Sequence, residues 1–280
     1  FCGPYIGVFL TWYTMIFIVA VHAIMLAGAG ATLKAAYGIN SWIGAFAMGA
    51  LSMTTLLLGL RRIVDVMGFI GPLIIILTIS VAVSSLFEHA EAFSSGARKV
   101  TELELLQASP HWLMSAVLYV GLTLPGLASF LPAVGASSGS ERELKLASIA
   151  GPLLFTLAMI LVVSALLASI TRVHGVPIPV ITLASGVFPL YGTVFAAVIF
   201  MGIYTTVTPL AWTVCERFTD EGTPAYRMLV VVLTVLGLVG GTILPFEHLV
   251  NIIYPTVGYA GLLFFCCAIF RDIRAYWRSR

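Results

Sequence analysis

The chain has 280 residues, of which 60% are hydrophobic and only 9% are charged, and its mean hydropathy is +1.07. This composition excludes a water-soluble globular protein and indicates an integral membrane protein whose main partner is the lipid bilayer. A formal net charge of +2 is too small to suggest a nucleic-acid partner.

Eight apolar stretches follow one another along the chain. They cover residues 5–33, 41–60, 66–87, 112–134, 146–171, 187–215, 228–244 and 249–270. Most are long enough to cross a hydrocarbon core of about 30 Å as helices of about 20 residues. The sequence therefore predicts an all-α fold, a polytopic bundle of eight transmembrane helices that form a single domain over residues 1–280.

The charged residues predict how the bundle is oriented. If the stretches alternate in direction, ten of the 14 Lys and Arg residues lie on one side and four on the other. The four are Lys34, Arg98, Lys99 and Arg172. The positive-inside rule then predicts that both chain ends face the cytoplasm, with residues 271–280 as a cytoplasmic tail and the polar connection 88–111 outside the membrane.

The fourth stretch contains helix-breaking residues near its middle, namely Gly121, Pro125 and Gly126. Interrupted helices at membrane depth point to a transporter's binding site, because the freed carbonyls can contact a solute or an ion. With the hydroxyls of Tyr119 and Thr123, these residues form the predicted substrate site. The alternative is a simple proline kink that neighbouring helices stabilise.

Two further groups are candidate ligands. His22 lies near the centre of the first stretch, where an ionisable side chain suggests a substrate contact or a proton relay, although a hydrogen-bonded neutral histidine is the plainer alternative. Thr205 and Thr206 lie four and three residues before Pro209, which leaves the carbonyl of Thr205 and nearby hydroxyls available to a hard cation. The alternative is that these threonines bond only their own helix.

Catalytic patterns are missing from the sequence. There is no His-Glu-x-x-His motif, no Ser/His/Asp order and no pair of carboxylates within a stretch, and no ATP-binding motif is present. We therefore expect a protein that is not an enzyme and that needs no cofactor beyond a coupling Na⁺ or H⁺. The small-residue run 27–31 is interpreted as a close contact between helices.

Five short segments resemble the YkvI-type membrane proteins of the amino acid, polyamine and organocation transporter superfamily. They are Met25-Leu-Ala-Gly-Ala-Gly-Ala, Gly59-Leu-Arg-Arg-Ile-Val, Ser115-Ala-Val-Leu-Tyr-Val, Ile203-Tyr-Thr-Thr and Tyr254-Pro-Thr-Val-Gly-Tyr-Ala-Gly. The resemblance implies a leucine-transporter-like fold of five plus five helices, of which this chain would hold helices three to ten. Residues 1–87 would be the remainder of the first repeat and residues 112–270 the second.

The resemblance also implies a function and a location. The expected activity is secondary active transport of a small solute, an amino acid or a related amine, by ion-coupled alternating access in a prokaryotic cell membrane. Thr205 and Thr206 carry over as candidate ligands of a coupling sodium ion. The alternative is a membrane sensor or receptor that binds a solute on a transporter scaffold, and no soluble partner is expected.

Overall fold

The computed structural model describes residues 3–103, 105–243 and 246–278, together with most but not all of their side chains. This part of the chain is helical and contains no strand, as the composition predicts. Its α-helices are α1 (Gly3–Tyr37), α2 (Ser41–Leu58), α3 (Leu60–His89), α4 (Phe93–Lys99), α5 (Trp112–Ser137), α6 (Glu141–Ala168), α7 (Ile170–Val173), α8 (Pro179–Val187), α9 (Pro189–Phe218), α10 (Pro224–Gly240) and α11 (Phe246–Arg278).

Six helices in the described residues are long and apolar enough to cross a membrane. They comprise Gly7–Tyr37, Ser41–Leu58, Ile63–Lys99, Glu141–Ala168, Leu190–Phe218 and Phe246–Arg271. Two further apolar helical segments, Trp112–Leu124 within α5 and Pro224–Gly240 of α10, lie in the fourth and seventh predicted stretches. The prediction of a helical membrane protein is thus confirmed, and the count of eight crossings stays a prediction.

The prediction that the helix of the fourth stretch is broken near its middle is wrong. Helix α5 continues from Trp112 to Ser137 without unwinding at Gly121, Pro125 or Gly126. A proline inside a helix removes one backbone hydrogen bond, and membrane helices tolerate this where a neighbouring helix contacts the freed group. At Gly121 that neighbouring helix is α11, and the contact is described with the candidate site.

The polar connection between α3 and α5 contains more helix than its composition suggests. Two 3₁₀ turns, Ala90–Ala92 and Val100–Glu102, flank α4. Gly96 of α4 lies directly against the carbonyl of Leu167 near the end of α6, where an added Cβ would come within 1.9 Å of the oxygen. This segment is therefore packed against the helices at its Gly96 face.

The chain divides into two compact units. The first contains residues 1–24, 106–133 and 209–280, and the second contains residues 25–105 and 134–208. In the second unit α3, α6, α7, α8 and α9 share an apolar core. Its buried members are Val81, Ala82, Ala165, Val173, Leu183, Ala184, Phe195 and Val198.

The small-residue run predicted to allow close contact between helices does so in the second unit. A Cβ on Gly30 of α1 would lie 2.3 Å from the carbonyl oxygen of Ser41, and one on Gly44 of α2 would lie 2.9 Å from the Cα of Gly30. Only glycine permits backbones to approach this closely. The turn between the two helices contains Gly38 with φ +67°, a conformation that glycine adopts without strain.

Candidate solute-binding site

Helices α5 and α11, both in the first unit at this point, touch through their backbones at three glycines. A Cβ added to Gly121 would lie 2.2 Å from the carbonyl oxygen of Gly258. A Cβ added to Gly258 would lie 2.5 Å from the carbonyl oxygen of Leu118. One on Gly261 would lie 1.8 Å from the carbonyl oxygen of Gly121. Contacts that advance along both helices together mean that α5 and α11 run parallel.

This contact explains how α5 remains helical at Pro125. Since Pro125 has no N–H, the carbonyl of Gly121 lacks its usual helical donor four residues later. That carbonyl lies against the Cα of Gly261, and the carbonyl of Gly258 lies against the Cα of Gly121. Such Cα–H···O contacts are common between closely packed helices and partly replace the missing bond.

A cavity of about 240 Å³ opens between the two helices beside the glycine contact. Its lining combines apolar side chains with four polar residues. The apolar members are Leu106, Ala108, Leu118, Leu122, Val250 and Pro255, and the polar members are Ser115, Tyr119, Asn251 and Tyr254. Its volume is slightly below the range of about 300–1,000 Å³ typical of small-molecule pockets, and its mixed lining is typical of them.

The polar groups of this α5–α11 cavity have hydrogen-bonding capacity to spare. Within the described part of the protein, no hydrogen bond involves the hydroxyl of Tyr119, the side-chain amide of Asn251 or the hydroxyl of Tyr254. The hydroxyl of Ser115 donates to the carbonyl of Ser109 at 3.1 Å, so its oxygen can still accept. The cavity can therefore bind a solute through neutral hydrogen-bonding groups.

A second proline adds an acceptor at the cavity wall. Pro255 lies inside α11 and cannot donate to the carbonyl of Asn251 four residues earlier. Asn251 and Pro255 both line the cavity. Pro255 therefore frees a carbonyl on α11 in the same way as Pro125 does on α5.

The predicted substrate residues on α5 separate in the structure. Tyr119 lines the cavity and is 45% exposed, and Gly121 belongs to the helix contact next to it. Thr123 is exposed, and its hydroxyl donates to the carbonyl of Val120 at 2.8 Å. The surroundings of Pro125 and Gly126 lie outside what the structure describes, although their backbone is helical.

His22 is buried in α1 and only 1% exposed. It is not one of the described residues that line the α5–α11 cavity. The next residue, Ala23, has its methyl group 3.2 Å from the position that a Cβ on Gly240 would take. Helix α1 therefore packs closely against α10 near His22. A role for His22 in binding stays a prediction.

The candidate sodium ligands lie in the second unit on α9. The hydroxyls of Thr205 and Thr206 both donate to the carbonyl of Gly202, at 2.9 and 3.2 Å. Both threonines thus bond their own helix, as the alternative interpretation of the sequence states. A hydroxyl that donates still keeps lone pairs that a cation can use. The neighbouring Thr208 is buried and donates instead to the hydroxyl of Ser52 at 3.3 Å.

Sequence reasoning missed Asn251, Tyr254 and Pro255. The available signal was a polar residue four positions before a proline within an apolar stretch, the same pattern that singled out Thr205 and Pro209. The described residues contain no cluster of three His, Cys, Asp or Glu side chains able to hold a metal ion.

Comparisons with known proteins support a membrane protein without assigning its activity. The chain is similar to "Uncharacterized membrane protein YkvI" of Bacillus subtilis (strain 168), with 25% identity over 269 residues that make up 94% of this chain and 73% of YkvI. No protein-family profile matches the chain, and no solved structure matches it. The similarity over nearly the whole chain supports the predicted relationship to YkvI-like membrane proteins.

Proposed function

We propose that the protein is a secondary active transporter of a small solute, an amino acid or a related amine, which it binds in the α5–α11 cavity. The observation that carries this proposal is the convergence of Tyr119, Asn251 and Tyr254 on one cavity with unused hydrogen-bonding groups. In the apolar part of a bilayer, polar groups without partners are costly unless water or a ligand satisfies them. A solute that binds there would supply the missing partners.

The parallel contact of α5 and α11 supports the proposed topology of eight crossings. Two parallel membrane helices must be separated by an odd number of crossings, because the chain has to return to the side where the first began. Helices α6, α9 and α10 supply three crossings if α10 spans the bilayer with its 17 residues. Both ends of the eight-helix segment would then face the cytoplasm of a prokaryotic cell, as expected for helices three to ten of a leucine-transporter-like fold.

Transport by alternating access fits the chemistry better than catalysis. Among the described residues that line the cavity there is no carboxylate, imidazole or thiol that could act as a general acid, base or nucleophile. Coupling to an ion gradient would supply the driving force, with no enzyme activity and no bound cofactor. Thr205 and Thr206 are the proposed ligands of a coupling sodium ion.

The full-length protein in liposomes tests this function. Radiolabelled amino acids and amines would be offered with an inward sodium gradient, with an inward proton gradient and with neither. Gradient-driven accumulation of one solute above its equilibrium level is the expected result. Binding of a solute without uptake under every gradient would contradict transport and favour a receptor on a transporter scaffold.

The sodium site makes a prediction of its own. Thr206→Val removes one hydroxyl oxygen, so the sodium concentration that gives half-maximal uptake should rise by about ten-fold, the effect of roughly 1.4 kcal/mol of lost ion binding. Thr208→Val is the matched control, because the hydroxyl of Thr208 donates to the hydroxyl of Ser52 and is not a proposed sodium ligand. It should leave the sodium dependence unchanged. If uptake by Thr206→Val depends on sodium in the same way as uptake by Thr208→Val, Thr206 is not a ligand of the sodium ion.

A further inference from the structure

A hydrogen bond between two side chains joins the end of α3 to α7 in the second unit. Arg172 of α7 donates from Nη1 to Nε2 of His89, the last residue of α3, at 2.9 Å. The other ring nitrogen, Nδ1, lies 3.2 Å from the carbonyl oxygen of Ser85. A carbonyl oxygen can only accept and a guanidinium can only donate, so the two contacts require a proton on Nδ1 and none on Nε2. His89 is therefore neutral when both contacts are made.

The guanidinium of Arg172 also contacts α8. A Cβ on Gly186 would lie 3.1 Å from Nη2 of Arg172 and 3.5 Å from Nη1. Thr182 of α8 lines the same small cleft as His89 and Arg172. Because α8 packs against both α3 and α7, the hydrogen bond between His89 and Arg172, which we name the His89–Arg172 latch, lies where the three helices meet.

The closed latch leaves a polar group in the same cleft unsatisfied. The hydroxyl of Ser169 is buried there, and it has no hydrogen-bond partner among the described residues. The cleft that these residues line has no room for a water molecule. A buried hydroxyl without a partner is costly, and a wider cleft that admits water would remove this cost. The latch therefore opposes a tendency of the cleft to open.

We propose that the His89–Arg172 latch is a pH-sensitive switch, which holds residues 170–187 of α7 and α8 against α3 while His89 is neutral and releases them when His89 gains a proton. Histidine side chains ordinarily change charge between about pH 8 and pH 5. A proton on Nε2 removes the acceptor and places a second positive charge 2.9 Å from a guanidinium nitrogen. The closed form binds fewer protons than the open form, so a fall in pH favours opening.

The charges around His89 permit this response. Glu88 on the same helix has its Oε2 4.0 Å from Nδ1, on the side of the ring away from the latch, and it stabilises the protonated ring. The other charged or titratable residues of the neighbouring turns and helices make no described hydrogen bond or ion pair with His89. They are Glu91, Arg98, Lys99 and His174. The His89 side chain is 23% exposed, so protons reach it from solvent.

Hydrogen–deuterium exchange of the full-length protein in lipid nanodiscs tests the latch. His89→Gln keeps an acceptor for Arg172 and cannot gain a proton. At about pH 7.5, where histidine is mostly neutral, residues 170–187 should exchange equally fast in both proteins. At about pH 5.5 they should exchange about ten-fold faster in the unmodified protein, the effect of losing one hydrogen bond to a charged group. Comparing two proteins at one pH cancels the effect of pH on the exchange chemistry.

Two further variants make the result specific. Arg172→Met keeps a long side chain and removes the donor, so residues 170–187 should exchange about ten-fold faster already at about pH 7.5. His174→Gln is the matched control, because His174 is an exposed histidine of the same segment that takes no part in the latch. It should keep the pH response of the unmodified protein.

The outcomes that contradict the latch are distinct. Equal exchange of the unmodified protein and His89→Gln at both pH values would overturn it, and so would a pH response that His174→Gln abolishes. Unchanged exchange in Arg172→Met would do the same. If His89→Gln does not fold, NMR of the imidazole nitrogens in the unmodified protein decides the question. A neutral ring with its proton on Nδ1 at about pH 7.5 is expected, and a proton on Nε2 would overturn the latch.

Discussion

Gly261→Ala is expected to break the native contact between α5 and α11 and to lower the thermal stability of the protein markedly. An added methyl would lie 1.8 Å from the carbonyl oxygen of Gly121. The oxygen is a backbone atom and the position of a Cβ is fixed by its own backbone, so neither can rotate away. Separating the helices loses the packing on either side of the contact. Overpacking of this kind costs roughly 3 kcal/mol. Thermal unfolding of the purified protein in detergent, followed by size-exclusion chromatography, measures the loss.

Gly121→Ala should behave like Gly261→Ala, because it clashes with the carbonyl of Gly258 on the opposite helix. Gly135→Ala is the matched control on α5, since no atom lies within 4 Å of its added Cβ. Alanine favours a helix over glycine by about 1 kcal/mol, so the control should be neutral or slightly stabilising. If all three variants unfold at the same temperature, the glycine contact does not hold these helices together.

The same residue, Gly121, shows what the sequence could and could not predict. Its position four residues before Pro125 in an apolar stretch was interpreted as part of a break in the helix, because a single sequence shows local breakers but not the surface against which they pack. In the structure the glycine lets a second helix approach, and that helix contacts the carbonyl that the proline frees. Local propensity predicted an unwound segment, and tertiary packing keeps it helical.

The helices themselves could be predicted far better than the site. Apolar length identifies a membrane helix with little ambiguity, and each predicted stretch has one helix that covers most of it. The site depends on which helices are neighbours, and residues 119 and 254 are separated by more than a hundred positions. Tyr119 was predicted as a site residue because it lies near the breakers. Asn251 was passed over, and Pro255 was noted only within a segment that resembles the YkvI-type proteins, because a single sequence does not show that α11 packs against α5.

Val250→Trp is expected to abolish uptake while leaving the protein folded. Val250 lines the α5–α11 cavity, so an indole at this position would occupy space that the solute needs. Because the cavity is empty space rather than packed core, the larger side chain should not overpack the helices as the glycine variants do. Uptake by liposomes should fall by at least about ten-fold, equivalent to roughly 1.4 kcal/mol of lost solute binding.

Ile252→Trp is the control that makes this result specific. Ile252 lies two residues further along the same helix and is 58% exposed, outside the cavity lining. A tryptophan there adds the same bulk to a different face of α11, and apolar faces of membrane helices accept aromatic residues. Normal uptake by Ile252→Trp, with loss in Val250→Trp at an unchanged unfolding temperature, would place the solute in the cavity. Full uptake by Val250→Trp would mean that the solute crosses elsewhere, and the cavity would then be a packing gap beside the glycine contact.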